Sequence, residues 1–326
     1  MSDVAFIFSK KAHGASQNFA KAVNADFYPV SRYSLHKIFT IPKHEYYLVE
    51  SVFALTYPVM KRKLLRQKSK IIFRCNSNLF SNEPGRYFQG NFLTKRYIKF
   101  LLNNVDGIIA VSKMVEDDAK RRCKKELGKD IKTKIVYSFV DNPEKWLKVK
   151  PDIKSKNFLA IGYIRHHKGF DILLKTFEII GKKHPDAKLF LAGTSDDDLK
   201  RYGLEKPENV FALGFTKNMD KYAEKCAFFI ATPRYEPGPT ASIEAMAAGL
   251  VPIVNHMTGH KDHVKKVSKD LVINSLDPKI AAKHILKIME RKDLKKLSDK
   301  SKKIALNYTK NKMLNEFRKA FSELVS

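Results

Sequence analysis

The sequence predicts an α/β protein made of two doubly wound Rossmann-like domains facing a central cleft, and three observations carry that prediction. Short runs rich in β-branched and aromatic residues alternate with longer helical patterns from end to end, as buried parallel strands and their crossover helices do. The alternation stops at a polar stretch, residues 142–157, with two prolines, five lysines and no clear period, and then restarts. The length of 326 residues suits two domains, since one takes roughly 100 to 200.

In chain order, strands of the first half are expected at 4–8, 26–30, 45–50, 70–75, 107–112 and 134–139, with helices at 57–68, 92–104 and 113–126. The second half repeats the pattern, with strands at 158–162, 188–193, 209–214, 228–233, 251–255 and 270–274 and helices at 170–183, 219–225 and 240–248. Three helical segments, 278–291, 294–308 and 311–325, close the chain. The domain plan is a first domain at 1–145, a linker at 146–156 and a second domain at 157–308, with the last helix, about 309–326, returning to the first. Ligands of such sheets bind outside the carboxyl ends of the strands, so a substrate cleft and hinge closure are expected.

Composition bounds the partners. With 44% hydrophobic residues the chain can bury a large core, which excludes a disordered polymer. The 62 Lys and Arg against 34 Asp and Glu leave a net charge of +28, so an anionic partner is expected: nucleic acid, a phosphate-bearing small molecule or an acidic membrane face. The chain carries no RNP motif, zinc finger or recognition-helix signature, and nucleic acid is not expected. Cys75, Cys123 and Cys226 are odd in number and widely spaced, which argues against a disulfide framework or a zinc site and for a reducing compartment. No run approaches the roughly 18 apolar residues of a membrane span. The opening Met1-Ser2-Asp3 and the five apolar residues after it lack the basic flank and length of a signal peptide, and read as the first strand of a cytoplasmic protein.

The strongest chemical signal is Thr232-Pro-Arg-Tyr-Glu236-Pro-Gly238-Pro-Thr240-Ala241-Ser-Ile-Glu244-Ala-Met-Ala-Ala-Gly249-Leu-Val-Pro252-Ile-Val. A strand ends near Pro233, a Gly/Pro loop follows, and a helix of small residues begins near Thr240. The open amides of its first turn make an anion site with Glu236 beside it. Proline has no N–H, so the amides left to meet a phosphate or sugar are those of Gly238, Thr240 and Ala241. Glu244, inside the helix, can accept hydrogen bonds from vicinal hydroxyls. Two acids around an anion hole suit a phosphate between two polyols, which describes a nucleotide sugar.

The Glu236-x7-Glu244 pair, followed by Ala245-Met-Ala-Ala-Gly249 and Pro252, resembles the signature of retaining GT-B glycosyltransferases of family 4. Gly162-Tyr-Ile-Arg165-His-His-Lys168-Gly169-Phe-Asp171 is similar to that family's strand-loop-helix element, with a basic residue for the donor diphosphate. The resemblance covers about residues 158–254; over the first half it is architectural, helped by Gly14 after the first strand and the helix start around Val111-Ser112-Lys113.

The resemblance implies a GT-B fold, a nucleotide-diphosphate sugar as substrate, retention of anomeric configuration, and no cofactor or metal. Glu236 would hold hydroxyls of the transferred sugar and Glu244 the ribose, while Lys168 with Arg165 would neutralise the departing diphosphate. Gly14 would let the backbone approach the donor phosphate. The first domain would hold the acceptor, a sugar, a lipid-linked glycan or a protein. There Asn76 stands where the family commonly has a histidine; an amide can hold a hydroxyl but cannot shuttle a proton. Tyr163 replaces the family's usual Arg after the strand glycine.

Other patterns have plainer readings. Asp196-Asp197-Asp198 suggests a metal pair, but acids in a first helical turn complement the helix dipole. His256, His260 and His263 lack a Cys or acid triad, and His260 is expected at a helix start. Residues 1–150 hold 29 basic and 13 acidic side chains. Their clusters are Lys61-Arg62-Lys63 with Arg66, Lys68 and Lys70, and Lys95, Arg96 and Lys99 interleaved with Phe92, Leu93, Tyr97, Ile98 and Phe100. This is either a core-facing helix with a solvated cationic face or an interfacial helix on an anionic membrane, which would make the protein peripheral to the inner face of that membrane. The alternative function on the same scaffold is a non-catalytic basic protein binding nucleic acid or anionic lipid. A sugar-nucleotide epimerase or phosphorylase is a further rival, and no lysine context for pyridoxal phosphate is identifiable.

Overall fold

Strand β1 (Val4–Ser9) is buried at every position but its last, so both of its faces must be covered, the condition under which parallel sheets form. The computed structural model describes residues 2–9, 14–31, 34–77 and 92–326. Strand β1 joins β2 (Asp26–Val30), β3 (Tyr46–Val49), β4 (Lys70–Cys75), β5 (Gly107–Ala110) and β6 (Lys132–Ile135) in a parallel sheet of order β2-β1-β3-β4-β5-β6. A second parallel sheet has the order β12-β11-β10-β7-β8-β9. Its strands are β7 (Phe158–Ile161), β8 (Leu189–Ala192), β9 (Val210–Gly214), β10 (Phe228–Ala231), β11 (Val251–Asn255) and β12 (Val272–Ile273). The chain divides into two units, Met1–Ser138 with Asn311–Ser326, and Phe139–Lys310. Each is a doubly wound α/β sheet, as the sequence predicts.

In the first unit, one sheet face packs on the helices Thr56–Leu64, Phe92–Asn103 and Lys113–Leu127 through a core that includes Val59, Ile71, Phe73, Ile98, Leu101 and Val115. Helix Lys113–Leu127 begins where Ser112 Oγ accepts from Val115 N–H and ends at Gly128, whose φ of +63° closes it. The helices Gly14–Ala22 and Lys310–Val325 pack on each other through Phe19 and Phe317, whose rings lie 4.8 Å apart. Arg318 Nε donates to the Ala22 carbonyl at 2.8 Å. In the second unit Phe158 meets Phe177 edge-on at 5.0 Å and stacks on Phe228 at 4.7 Å, joining helix Phe170–Lys183 to the sheet.

Several elements differ from expectation. The strand expected at 134–139 runs from Lys132 to Ile135, because pairing with β5 fixes Ala110 opposite Ile135; the apolar Val136 and Phe139 beyond it are buried loop residues. The stretch 142–157, expected to be irregular, contains the helix Pro143–Leu147. Asn142 caps it by accepting from Lys145 N–H at 3.3 Å, Pro143 fills its first turn and Trp146 is buried. Five residues are too few to show a period. Helix Gly14–Ala22 also escaped the periodicity. Among the described residues no helix is long and apolar enough to cross a membrane.

Candidate active site

In the second sheet the strand order reverses between β7 and β10. Connections leaving these two strands diverge, and the crevice between them at the carboxyl edge is where such sheets bind ligands. Residues 162–169 follow β7 and residues 232–239 follow β10, so the two segments singled out from sequence flank one switch point.

Lys168 ends a 3-10 turn, His166–Lys168, and Gly169 then takes φ +68°. A Cβ there would lie 2.2 Å from the Thr232 carbonyl oxygen, so glycine is what lets the two loops touch. The Lys168 Nζ pairs with Glu236 Oε2 at 2.5 Å, and both side chains are largely shielded, at 20% and 15% exposure.

Hydrogen bonds from three directions fix the loop that carries Glu236. The N–H groups of Arg234 and Tyr235 donate to the His167 carbonyl at 2.8 and 3.2 Å. The Arg234 guanidinium grips Asp171 with two bonds, at 2.7 and 2.5 Å, and holds that carboxyl below its ordinary range despite partial burial. Buried Asn255 donates to the Pro233 carbonyl at 2.7 Å and accepts from Met257 N–H. Glu236 N–H donates to the Met257 carbonyl at 3.0 Å, and Gly259 N–H donates to the Glu236 carbonyl at 2.7 Å. The Glu236 backbone is thereby spent on both sides, leaving its carboxylate as the part that can face a ligand.

Helix Thr240–Ala248 starts after Pro239 and ends at Gly249, with φ +86°. Its small residues Ala245, Ala247 and Ala248 are buried, and the helix packs closely on Pro143–Leu147 and on Leu294–Ala305. Ser242 Oγ, fully buried, donates to the Pro239 carbonyl and lies 2.9 Å from His260 Nδ1. Thr240 and Ala241 occupy the first helical turn, whose amides lack intrahelical acceptors. Gly238 sits in the preceding loop and is half-buried. Burial pushes the Glu244 carboxyl up to about 6, with Asp141 acting in the same direction and Lys145 against it.

Lys168 and Glu236 are thus brought together, with Gly238, Thr240 and Ala241 on the same connection as Glu236. Arg165 is exposed, its guanidinium carbon 5.5 Å from the Tyr163 ring and its carbonyl accepting from Lys168 N–H at 2.9 Å; the Lys168 ammonium lies 5.8 Å from the same ring. In the first unit, Gly14 opens helix Gly14–Ala22, with nothing within 4 Å of where a Cβ would stand. Asn76 follows β4, its Nδ2 3.5 Å from Glu50 Oε1, which also accepts from Ser16 Oγ. The aspartate run is a helix start: Ser195 and Asp198 form a reciprocal capping box. His260 stands at the start of helix Lys261–Val267 as expected, next to His263, whose imidazole burial pushes down to about 4. Among the described residues no group of three His, Cys, Asp or Glu is arranged to hold a metal.

Sequence reasoning missed Arg234, Asp171, Asn255 and Ser242, which position the site. Asp171 lay inside a quoted motif and Arg234 two residues before Glu236, so proximity to the motifs was the available signal.

Residues 143–306 match the family Glycosyl transferases group 1. Among similar proteins, an uncharacterized glycosyltransferase of Haemophilus influenzae is 27% identical over 173 residues, covering 51% of this chain and 49% of the relative. The putative glycosyltransferase YtcC of Bacillus subtilis is 28% identical over 234 residues, covering 64% and 55%. The aligned segments thus span about half the length of these relatives. Of solved structures, Anabaena HepE in complex with UDP and glucose superposes with a TM-score of 0.72 at 16% identity, covering 98% of this chain and 99% of that one. Sucrose-phosphate synthase from Thermosynechococcus elongatus gives 0.73 at 14% identity over 99% of both chains. These likenesses establish the fold class as GT-B; with the family match spanning half of its length, the chain belongs to the group 1 glycosyl transferases.

Proposed function

We propose that the protein is a retaining, metal-independent glycosyltransferase that moves a sugar from a nucleotide-diphosphate sugar to an acceptor hydroxyl. The observation that carries this reading is the Lys168–Glu236 pair at the switch point, with Glu236 on the connection that leads into the helix whose first turn holds Thr240 and Ala241. In the free protein the two side chains neutralise each other. On donor binding, Lys168 exchanges the carboxylate for the diphosphate and Glu236 accepts from hydroxyls of the sugar. As the bond between the anomeric carbon and the phosphate oxygen breaks, negative charge grows on the leaving group. A fixed cation and helix-end amides stabilise it there without a metal. The acceptor hydroxyl attacks the same face of the oxocarbenium-like carbon and passes its proton to the departing phosphate, so no protein nucleophile is needed. Glu244 holds the ribose and Arg165 screens the diphosphate from the loop; in the first unit, Gly14 lets the backbone approach a phosphate and Asn76 holds an acceptor hydroxyl. The buried thiols Cys75, Cys123 and Cys226 suit a reducing, cytoplasmic setting.

Because HepE was solved with UDP and glucose, uridine donors are the first to test. Thermal melts with UDP-, GDP- and ADP-sugars should show one nucleotide class raising the midpoint, because a ligand at a hundredfold excess over its Kd adds about 2.7 kcal/mol. A response to polynucleotide alone would favour the basic binding protein instead. Transfer should persist in excess EDTA. Loss of activity there, restored by Mn²⁺ and abolished by Asp196→Asn, would reverse the capping interpretation of the aspartate run.

Glu244 adds a pH signature. Its raised carboxyl takes up a proton as pH falls through about 6, and the neutral acid is a poorer acceptor for ribose hydroxyls. Nucleotide affinity should therefore drop between pH 7 and 5, while Glu244→Gln binds more weakly at neutral pH and lacks the inflection. Calorimetric titration with UDP-glucose, whose diphosphate diester has no proton to exchange in that range, checks it; identical curves for both proteins would remove Glu244 from the ribose site.

A further inference from the structure

The helical layer on the first sheet leaves large apolar side chains in solvent next to cations. Helix Phe92–Asn103 buries Ile98, Leu101 and Leu102 against the core. Yet Phe92 and Leu93 are 74% and 70% exposed, and the rings of Tyr97 and Phe100, also exposed, stack at 6.3 Å. The helix is therefore core-facing and still has a second apolar strip. Tyr97 Oη donates to Thr56 Oγ1 at 2.8 Å, docking it on helix Thr56–Leu64. That helix packs in turn on Lys37–Thr40, where Phe39 is 66% exposed.

Not every basic residue of the two sequence clusters belongs to this surface. Lys61 is buried, its Nζ donating to the Ile41 carbonyl at 2.6 Å; Arg62 is paired with Asp106, and Lys99 with Glu126 at 2.8 Å. Lys95 and Arg96 remain exposed on helix Phe92–Asn103, as do Lys63, Arg66 and Lys68 around the end of Thr56–Leu64.

We propose that this face docks on a lipid bilayer carrying anionic headgroups, with Phe92, Leu93 and Phe39 entering the acyl boundary and Lys95 and Arg96 meeting phosphates. A second copy of the chain would oppose like charges across the contact. A nucleic-acid duplex would pair with the cations and leave Phe92 and Leu93 in water, and a single strand would stack a base on Phe92 but leave Leu93 and its aliphatic surface in water. An anionic bilayer satisfies both chemistries, and the salt-sensitive electrostatic part and the apolar part add.

The test is flotation of the full chain with vesicles of phosphatidylcholine alone and of phosphatidylcholine mixed with phosphatidylglycerol, at low and high salt. Wild type should float with the anionic vesicles at low salt, about tenfold less with neutral ones, and be released by high salt. Lys95→Glu with Arg96→Glu, and separately Phe92→Ser with Leu93→Ser, should each cut flotation about tenfold while melting temperature and response to UDP-sugars stay at wild type. That second readout separates this inference from the transferase proposal. Should a variant melt early, Lys95→Gln with Arg96→Gln replaces it and must show the same loss. Equal flotation on both vesicle types, full flotation of the Phe92/Leu93 variant, or a dimer in vesicle-free solution that this variant abolishes would each overturn the proposal.

Discussion

Lys168→Ala is expected to lower kcat by about a hundred- to a thousandfold, equivalent to ~2.7–4 kcal/mol of barrier, with the fold intact. The Lys168 ammonium is shielded on most of its surface and meets a carboxylate in the free protein, so its charge is already positioned before a donor arrives. A fixed charge pays no reorganisation when the leaving group departs, whereas the water that would replace it must reorient. Glu236→Ala should lose turnover to a similar degree for a different reason, the lost grip on sugar hydroxyls near the reacting carbon. The two substitutions also act on each other. Removing either partner leaves the other charge partly buried and unpaired, so the double variant should fall short of the sum of the single losses. Steady-state kinetics with UDP-glucose, combined with Kd for UDP, separates the roles. Glu236→Ala should leave nucleotide affinity near wild type, and Lys168→Ala should weaken it. Wild-type turnover in both single variants would remove the pair from the reaction.

How much of this was legible in sequence depended on how local each signal was. The strands β4 and β11 stand where the apolar runs put them, because a strand buried on both faces needs no partner residue to be recognised. Helix Thr240–Ala248 was readable from Pro239 before it and Gly249 after it. The loop clamps were not, since Arg234–Asp171 spans 63 positions and Asn255–Pro233 spans 22. Nothing in a single chain announces such a pairing. The cation clusters show the same limit. Lys61 and Arg62 read as part of a cationic face turned to solvent or to an anionic membrane, yet Lys61 is buried with its ammonium on the Ile41 carbonyl and Arg62 is paired with Asp106. The Glu236–Lys168 contact was inferred only as two residues serving one ligand; the switch point between β7 and β10 is what makes them neighbours.

Gly169→Ala should damage both stability and turnover more than any other single-methyl change in the site. The backbone there has φ +68°, which costs an L-residue roughly 1–2 kcal/mol. The new methyl would also stand 2.2 Å from the Thr232 oxygen, and a backbone oxygen, unlike the tip of a long side chain, cannot swing aside. The loops after β7 and β10 must then separate. That strains the bonds from Arg234 and Tyr235 to the His167 carbonyl and pulls Lys168 from Glu236. A total of about 3–5 kcal/mol is expected, which at roughly 2–4 °C per kcal/mol lowers the melting temperature by about 6–20 °C. Gly203 supplies the control, with a similar φ of +64° but nothing within 4 Å of the added carbon. Gly203→Ala should therefore show the backbone cost alone, about 1–2 kcal/mol, and keep wild-type turnover. If the two alanine variants melt together and transfer sugar equally well, the close approach at Gly169 does not hold the site, and the positioning of Lys168 must come from elsewhere in the 3-10 turn.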